Sequence, residues 1–444
     1  MTTGHRPRII WFADLEALIE DLSVIELLRD EAGLTTIAPE SHVSHTSGFR
    51  ASAATVANGP LEDWADRPGM ADHRTVFGNA EPAMAVLPGV VGGVDDAPLS
   101  RVIEACRRLG IEVWGHAGMW CYGAEIFPEY AATDLMGRSI LPAALPWGTM
   151  FCPSVSELNA WVAESLVEAT RTYDLDGWFL DHARYSSPGF AAGLLACACA
   201  RCAEAASSLG VAIDDCRADV LALAEALGRS RPADIDALAG AGPTGWYQLL
   251  ARFPGVRAWL SVRATILADR LGSIGDAVKG AATRPIEFGS DVFPPSVALL
   301  GGHDYAAWTH SATYLSGGFG PKIGWDSVVG VTATSLGQEL AALVPGLTDV
   351  AALHAVACAL GAPGDIEPTP TPAATRREMM LMAAVRPDVP VYPPLPRPQP
   401  TDDLSAACAA IIEAGLDGVM VAGLESSSAA QRRILRQELS ERLA

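Results

Sequence analysis

Three segments of the chain share one pattern, in which a helical run ends at a glycine and an apolar strand follows almost immediately. The segments are AGLTTIAP (residues 32–39), LGIEVWGH (residues 109–116) and AGLDGVMV (residues 414–421). Glycine tolerates the left-handed backbone conformation that turns a chain out of a helix, so each segment can pass directly from helix to strand. Repeated helix-to-strand junctions of this kind predict a sheet of parallel strands.

Eight segments have the short apolar character of buried parallel strands. A number near eight favours a closed (β/α)8 barrel, the TIM barrel, over an open doubly wound sheet. The nucleotide-binding open sheets also lack their fingerprints here, because no GxGxxG follows the first strand and no Walker sequence occurs. We therefore expect an α/β fold with a single barrel over residues 1–444. The predicted strands are residues 8–14, 34–39, 111–115, 177–180, 284–290, 310–315, 389–392 and 416–423.

Two stretches are longer than the connections of a minimal barrel. Residues 41–94 are irregular and rich in His, Gly, Pro and Trp, and we interpret them as a long βα loop over the barrel mouth. Residues 197–280 have helical character and exceed the length of one crossover helix, which predicts a helical insertion after strand four.

The charge of the chain limits the kinds of molecule that it can bind. The chain has 31 basic and 52 acidic residues and a formal net charge of −21. This charge argues against nucleic acid and anionic membrane surfaces, because their phosphates bind basic surfaces. The first residues lack a long apolar region with a cleavage site, and no run approaches about 18 apolar residues, so we expect a cytoplasmic protein. Its nine cysteines are expected to be reduced, and a homo-oligomer remains open.

The segment YDLDGWFLDHARY (residues 173–185) has the strongest functional character. Its apolar core, residues 177–180, is typical of a strand buried on both faces, and it ends on Asp181. A carboxylate at the carboxyl end of a barrel strand lies where the βα loops build the active site. Asp181 is therefore predicted to be catalytic. The alternative is a structural aspartate paired with Arg184 or His182.

This segment resembles the YDxDG-hydrophobic-hydrophobic-D-x-x-R stretch at the end of strand four in bacterial glycoside-hydrolase-like (β/α)8 barrels. The resemblance covers roughly residues 111–319 and implies hydrolysis of a glycosidic bond in an oligosaccharide or glycoside. Three further segments are similar to that family in the same order: a CPN-like segment at residues 151–154, a CxCxxC segment at residues 197–202 and a GxDY segment at residues 301–305.

A more distant resemblance is to the α-amylase superfamily. There, as here, a histidine ends strand three and an aspartate ends strand four, and the strand-four aspartate is the nucleophile. The resemblance implies a retaining glycosidase with Asp181 as nucleophile and His116 beside it. The chain departs from that pattern at Phe179, where amylases carry an arginine.

Glycoside hydrolysis generally uses two carboxyl groups, and the second is less clear from the sequence. Asp291 lies at the predicted end of strand five and is favoured because it would face the barrel mouth. Glu287 lies within that strand, where burial could raise its pKa to a value suited to a general acid. Glu425, beyond strand eight, is a third candidate.

Further side chains are predicted to contact the sugar. His116 could hydrogen-bond a hydroxyl group or the nucleophile, and aromatic rings could stack on pyranose faces. The alternative for each is packing in the core, because aromatic side chains dominate buried area. The predicted substrate-binding residues are Trp114, His116, Trp120, His182, Arg184, Tyr185, Asp304 and Tyr314.

A cysteine cluster is the second candidate site. Cys197, Cys199 and Cys202 could form part of a structural zinc site with four thiolate ligands. The surrounding segment, residues 194–206, has helical composition, and a continuous helix would direct Cys197 away from the other two, so metal binding requires local unwinding. Buried free thiols are the alternative. The fourth ligand would come from Cys121, Cys152 or Cys216.

These patterns predict a glycoside hydrolase that requires no cofactor for its chemistry and acts on a small carbohydrate. Two other functions stay open. One is a carbohydrate-binding barrel without catalysis, since the amylase arginine is missing and the second carboxylate is ambiguous. The other is a barrel lyase or isomerase acting on a non-sugar substrate, because a fold alone does not define a function.

Overall fold

The computed structural model describes most of the barrel and its surrounding helices. The predicted loop over residues 41–94 lies outside the described part of the chain. The described residues are 7–13, 18, 21–39, 97–120, 124, 128–140, 150–185, 191–308, 310–317, 328–361, 372–385, 388–395 and 400–440.

Eight parallel strands form one sheet in the order β6-β5-β4-β3-β2-β1-β8-β7. The ring closes beside Val391, which bridges Leu315 in parallel; the Tyr392 N–H donates to the Leu315 carbonyl at 2.8 Å. This closure confirms the predicted (β/α)8 barrel. The strands are β1 Arg8–Ala13, β2 Thr36–Pro39, β3 Glu112–Gly118, β4 Gly177–Asp181, β5 Glu287–Val292, β6 Tyr314–Gly317, β7 Pro394–Leu395 and β8 Gly418–Ala422.

Some predicted strand bounds were wrong, each for a local reason. β5 begins at Glu287 and not at Arg284, because Arg284 pairs with Asp176 outside the ladder and Pro285 has no N–H to donate. β6 begins at Tyr314 because residues 305–308 form a short helix, and the N–H groups of Ser311 and Ala312 donate to the Trp308 carbonyl and not to a neighbouring strand. β3 extends through Gly118, so His116 lies within the strand and not just after it.

Helices surround the sheet. The helices α1 (Ser23–Ala32), α2 (Ala97–Leu109) and α3 (Ser156–Tyr173) precede β2, β3 and β4. Gly33, Gly110 and Gly415 have positive φ angles of 78°, 69° and 65°, as the junction pattern predicts. Among the described residues, no helix is long and apolar enough to cross a membrane.

A succession of helices separates β4 from β5. The helix predicted across the cysteines is interrupted, because residues 195–199 give their backbone hydrogen bonds to another segment: the Ala198 N–H donates to Thr133 and Leu195 accepts from Leu135. The helices are α4 Ala191–Leu194, α5 Ala200–Ser208, α6 Ile213–Gly228, α7 Pro232–Gly240, α8 Gly242–Leu250 and α9 Pro254–Ala281.

The second half of the chain supplies the remaining helices. α7 and α8 pack against α11 and α12 around a small apolar cluster that includes Ile235, Leu340 and Val344 and is separate from the main core. The remaining helices are α10 Tyr305–Trp308, α11 Val328–Leu343, α12 Asp349–Ala359, α13 Pro372–Val385, α14 Thr401–Glu413 and α15 Ala429–Ile434.

Side chains alternate between the barrel interior and the helices. Trp178 and Phe288 lie in the large core beneath the helices, whereas Phe179 and Tyr314 belong to the cluster that fills the barrel interior. Because successive residues of a strand point to opposite faces, residues 116, 181 and 291 share the interior face at the carboxyl ends of their strands.

Candidate active site

Two aspartates lie side by side at the carboxyl ends of neighbouring strands. β4 and β5 pair in the register Phe179 to Gly289 and Leu180 to Ser290, and the next step places Asp181 beside Asp291. Adjacent strands are about 4.8 Å apart, so the two carboxyl groups face the same part of the barrel interior at short range. The structure therefore brings together the two aspartates that the sequence favoured.

His182 bridges the two carboxyl groups. Its backbone N–H donates to Asp291 Oδ1 at 3.0 Å, and its ring Nδ1 lies 2.9 Å from Asp181 Oδ1. The residue adopts a positive φ of 57°, an uncommon conformation for a residue with a side chain. This turn directs both the backbone donor and the ring back toward the strand ends, and such local strain is characteristic of functional sites.

Asp181 is held as a carboxylate. Its side chain is buried, and His116 Nε2 lies 3.5 Å from its second oxygen. Burial alone would raise the pKa of Asp181, but His182 and His116 outweigh burial and hold that pKa well below its usual value. His116 in turn packs against Phe12 and Phe179, with ring centroids 4.8 Å and 5.5 Å away. The aromatic contacts orient the imidazole toward Asp181.

Asp291 has the opposite environment. Burial, followed by the negative charge of Asp181, raises the pKa of Asp291 from 3.8 to about 7. The positive charge of Arg184, the Ser290 hydroxyl at 3.2 Å and the His182 N–H oppose that rise only partly. At neutral pH a substantial share of Asp291 therefore carries its proton while Asp181 is ionised. Neighbouring carboxyl groups with pKa values pushed apart are the arrangement expected of an acid and a nucleophile or base.

Glu287 and Glu425 lie away from this site. Glu287 is at the amino-terminal end of β5, where it pairs with Arg8 at 3.1 Å and accepts a hydrogen bond from Thr313. Glu425 follows β8 and accepts a hydrogen bond from Trp11 Nε1 at 2.7 Å, on the face of β1 that packs against helices. The structure does not bring either glutamate to Asp181.

The predicted aromatic contacts lie mainly in the core. Trp114 stacks on Tyr314 inside the barrel, with ring centroids 4.4 Å apart, and the Tyr314 hydroxyl donates to the Trp178 carbonyl. Trp120 is buried and donates to Asn159 at 2.8 Å. The structure therefore places Trp114 and Tyr314 in the interior layer below the two carboxyl groups, with Tyr314 near enough to Asp291 to interact with its charge, and Trp120 in the core outside the barrel.

Tyr185 and Asp304 have contacts that do not involve the two carboxyl groups. The Tyr185 ring is buried beneath the guanidinium of Arg263, whose Cζ is 4.4 Å from the ring centroid. Asp304 accepts hydrogen bonds from the N–H groups of Ala306 and Ala307 and thereby caps α10. Of the predicted substrate-binding residues, His116, His182 and Arg184 are those that surround the aspartates.

Sequence reasoning missed two residues near the site. Ser316 pairs with Asp291 across the β5–β6 ladder and is buried on the same interior face. Alternate residues of a strand share one face, so the sequence pattern that places Tyr314 inside the barrel also predicts Ser316 there. His303 accepts from the Phe293 N–H at 2.8 Å and lies 3.2 Å from the Ala183 carbonyl, which ties the end of β5 to the loop after β4.

The cysteines of the CxCxxC segment gather at a second location. The sulfur atoms of Cys152, Cys197, Cys199 and Cys202 all lie within 4.8 Å of one another. Cys216 lies instead in a separate apolar cluster with Trp259, and Cys121 is outside the described residues. The structure thus identifies Cys152 as the partner of the three.

Comparison with known proteins relates the fold to that of sugar-cleaving enzymes. No protein-family model matches the chain, and no curated protein matches it in sequence. The chain is similar in structure to a beta-galactosidase from the haloarchaeon Halorubrum lacusprofundi, with 12% identity over 98% of this chain and 57% of that one, and a TM-score of 0.50. A beta-galactosidase from Rahnella sp. R3 gives 10% identity, 99% and 56% coverage, and a TM-score of 0.50.

The chain is also similar in structure to the PgaB (BpsB) glycoside hydrolase domain from Bordetella bronchiseptica, with 12% identity over 94% of this chain and 93% of that one, and a TM-score of 0.47. The chain spans little more than half the length of the two beta-galactosidases. At these identities the likeness shows the fold alone, a barrel like that of glycoside hydrolases.

Proposed function

We propose that the chain is a retaining glycoside hydrolase in which Asp181 is the nucleophile and Asp291 the general acid and base. The observation that carries the proposal is the pair of carboxyl groups at the ends of β4 and β5, one held ionised and the other with its pKa raised to about 7. Hydrolysis of a glycosidic bond generally uses two carboxyl groups, one ionised as nucleophile or base and one protonated as acid.

The proposed reaction has two steps. Asp291 gives its proton to the glycosidic oxygen as the bond to the anomeric carbon breaks, and an Asp181 oxygen bonds to that carbon. This step consumes the negative charge of Asp181, which is the second largest cause of the raised pKa of Asp291. Asp291 can then ionise more readily and accept a proton from the water that releases the sugar. The site thus supplies an acid for the first step and a base for the second.

The separation of the strands supports retention of configuration. Retaining enzymes hold their carboxyl groups about 5–5.5 Å apart, whereas inverting enzymes leave about 6.5–9.5 Å for a water molecule. Asp181 and Asp291 are on directly neighbouring strands, and the strand spacing of about 4.8 Å fits the shorter value better. A binding barrel without catalysis needs no second carboxyl group, so Asp291 beside Asp181 favours hydrolysis over that alternative.

The decisive experiment compares the wild type with Asp181→Asn and Asp291→Asn on a panel of chromogenic glycosides. The nucleophile variant should turn over no glycoside. The acid variant should still cleave dinitrophenyl glycosides, whose leaving group needs no proton, and should lose activity on glycosides with alkyl leaving groups. Near-normal turnover by Asp181→Asn would remove Asp181 from the mechanism, and inverted product in proton NMR would refute retention.

A further inference from the structure

We propose that Cys152, Cys197, Cys199 and Cys202 bind one structural zinc ion, which locks the loop after β3 to the loop after β4. Four cysteine sulfurs from two separate segments, residue 152 and residues 197–202, converge on one point, and all lie within 4.8 Å of one another. Four protein ligands fill a tetrahedral coordination sphere, so the ion would have no open position for catalysis.

The sulfur spacing matches tetrahedral coordination. Zinc–sulfur bonds are about 2.3 Å long, which places the sulfurs of a ZnS4 site about 3.8 Å apart. Cys152 Sγ lies 3.3 Å from Cys199 Sγ and 3.5 Å from Cys202 Sγ. These distances far exceed the roughly 2.05 Å of a disulfide bond. An iron–sulfur cluster of several irons would bind its cysteines through different metal atoms and would hold their sulfurs farther apart.

The surroundings of the sulfurs suit thiolate ligands. Backbone N–H groups donate to two of them, from Thr133 to Cys197 at 3.4 Å and from Ser154 to Cys152 at 3.3 Å. Such donors orient the ligands of a metal and stabilise their charge. Cys199 immediately precedes α5 and Cys202 lies in its first turn, where the helix dipole favours negative charge.

The proposed zinc site requires the break in the helix before α5. A continuous helix would direct Cys197 away from Cys199 and Cys202, but residues 195–199 are not helical. Three of the cysteines are buried, whereas Cys199 is half-buried and gives the ion a route from solvent. Zinc would replace the thiol protons without any change in oxidation state.

The cluster lies where it can fix the catalytic loop. The loop after β3 and the loop after β4 already share backbone hydrogen bonds, including Ala198 to Thr133 at 2.6 Å. The β4 loop begins with His182 and Arg184, and Tyr185 is buried in the same core cluster as Cys152, Cys197 and Cys202. A zinc ion here would link the two loops through its bonds to the cysteine sulfurs and would limit the movement of the β4 loop, which begins with His182.

The test measures metal and needs no substrate. The purified full chain, dialysed in metal-free buffer, should contain one zinc ion per chain when measured by inductively coupled plasma mass spectrometry. Cys199→Ser and Cys202→Ser should lose it, whereas Cys408→Ser, a change at a lone buried thiol on α14, should keep it. The two cluster variants should also become more sensitive to protease between residues 128 and 199 than the control.

A second measurement keeps the proposal open to refutation if the variants do not fold. A mercurial that reacts with thiols should release one zinc from the native wild type, detected with a chelating dye, and cobalt in its place should show the absorption of a tetrahedral thiolate site. Iron in place of zinc, or metal-free protein with all nine thiols reactive, would overturn the proposal. So would a thiol count two or more below nine in metal-free protein, because that indicates disulfides. Loss of glycosidase activity plays no part in these outcomes, so this proposal and the proposed function can fail separately.

Discussion

Replacing Asp291 with asparagine should stabilise the protein above neutral pH. The pKa of Asp291 is raised from 3.8 to about 7, so the folded state binds this proton more tightly than the unfolded chain does. For a group raised in this way, the stabilisation is fully present below the unfolded pKa and is lost as the pH rises through the folded pKa. Above about pH 7 the wild type must therefore hold a buried carboxylate beside Asp181, at a cost in stability.

The size of this cost follows from the shift. About three pKa units correspond to about 4 kcal/mol between the acid and alkaline limits. Roughly 3 kcal/mol of that falls between pH 5 and pH 8, where the folded state releases the proton. Asparagine keeps an oxygen that can accept from the His182 N–H and from Ser290, so the substitution removes the charge and preserves those contacts.

The assay is urea unfolding of the wild type and Asp291→Asn at pH 5 and pH 8. The difference in unfolding free energy between the two proteins should shift by roughly 3 kcal/mol in favour of the variant as the pH rises. Asp304→Asn, the same chemical change at the helix cap outside the barrel, reports the effect of the substitution itself. A difference that stays constant within about 0.5 kcal/mol from pH 5 to pH 8 would refute the raised pKa, and with it the role of Asp291 as an acid.

Three other substitutions test separate parts of the structure. Asp181→Asn should abolish turnover and leave the circular dichroism spectrum unchanged; an active variant contradicts the assignment. His182→Gly should relieve the positive φ but remove the ring that stabilises the Asp181 charge, and should lower kcat at least about tenfold. Gly418→Ala should destabilise the protein by about 3 kcal/mol or more in urea unfolding, since a Cβ there would lie 2.1 Å from the Arg8 carbonyl oxygen. Gly415→Ala, with nothing within 4 Å, should cost clearly less, and equal losses would contradict the steric explanation.

The strand-four motif shows how much local sequence can determine. The apolar run from Gly177 to Leu180, preceded by a helix and ended by a carboxylate, predicts both a buried strand and the position of Asp181 at its carboxyl end. Burial on both faces of a parallel strand leaves a continuous apolar run, and the short length of this run favours a strand over a buried helix. The glycine junctions predict the parallel sheet for a similar local reason, since a left-handed residue ends each helix.

The second carboxylate shows where local sequence is insufficient. Glu287 and Asp291 are four residues apart on one strand, so alternation places both on the interior face. Only the bounds of β5 and the ion pair of Glu287 with Arg8 put the glutamate at the opposite end of the barrel. The aromatic residues present the same problem, because Trp114 and Tyr314 meet in the barrel interior although 200 residues separate them in sequence.

The sequence by itself therefore determined the class of fold, the position of Asp181 and the set of cysteines from which a metal site could be built. The tertiary structure decided which distant groups meet: Asp291 with Asp181, and Cys152 with the CxCxxC segment. The physical reason is that helix ends and strand patterns depend on neighbours along the chain, whereas pKa values and ligand sets depend on groups that only folding brings within a few ångströms.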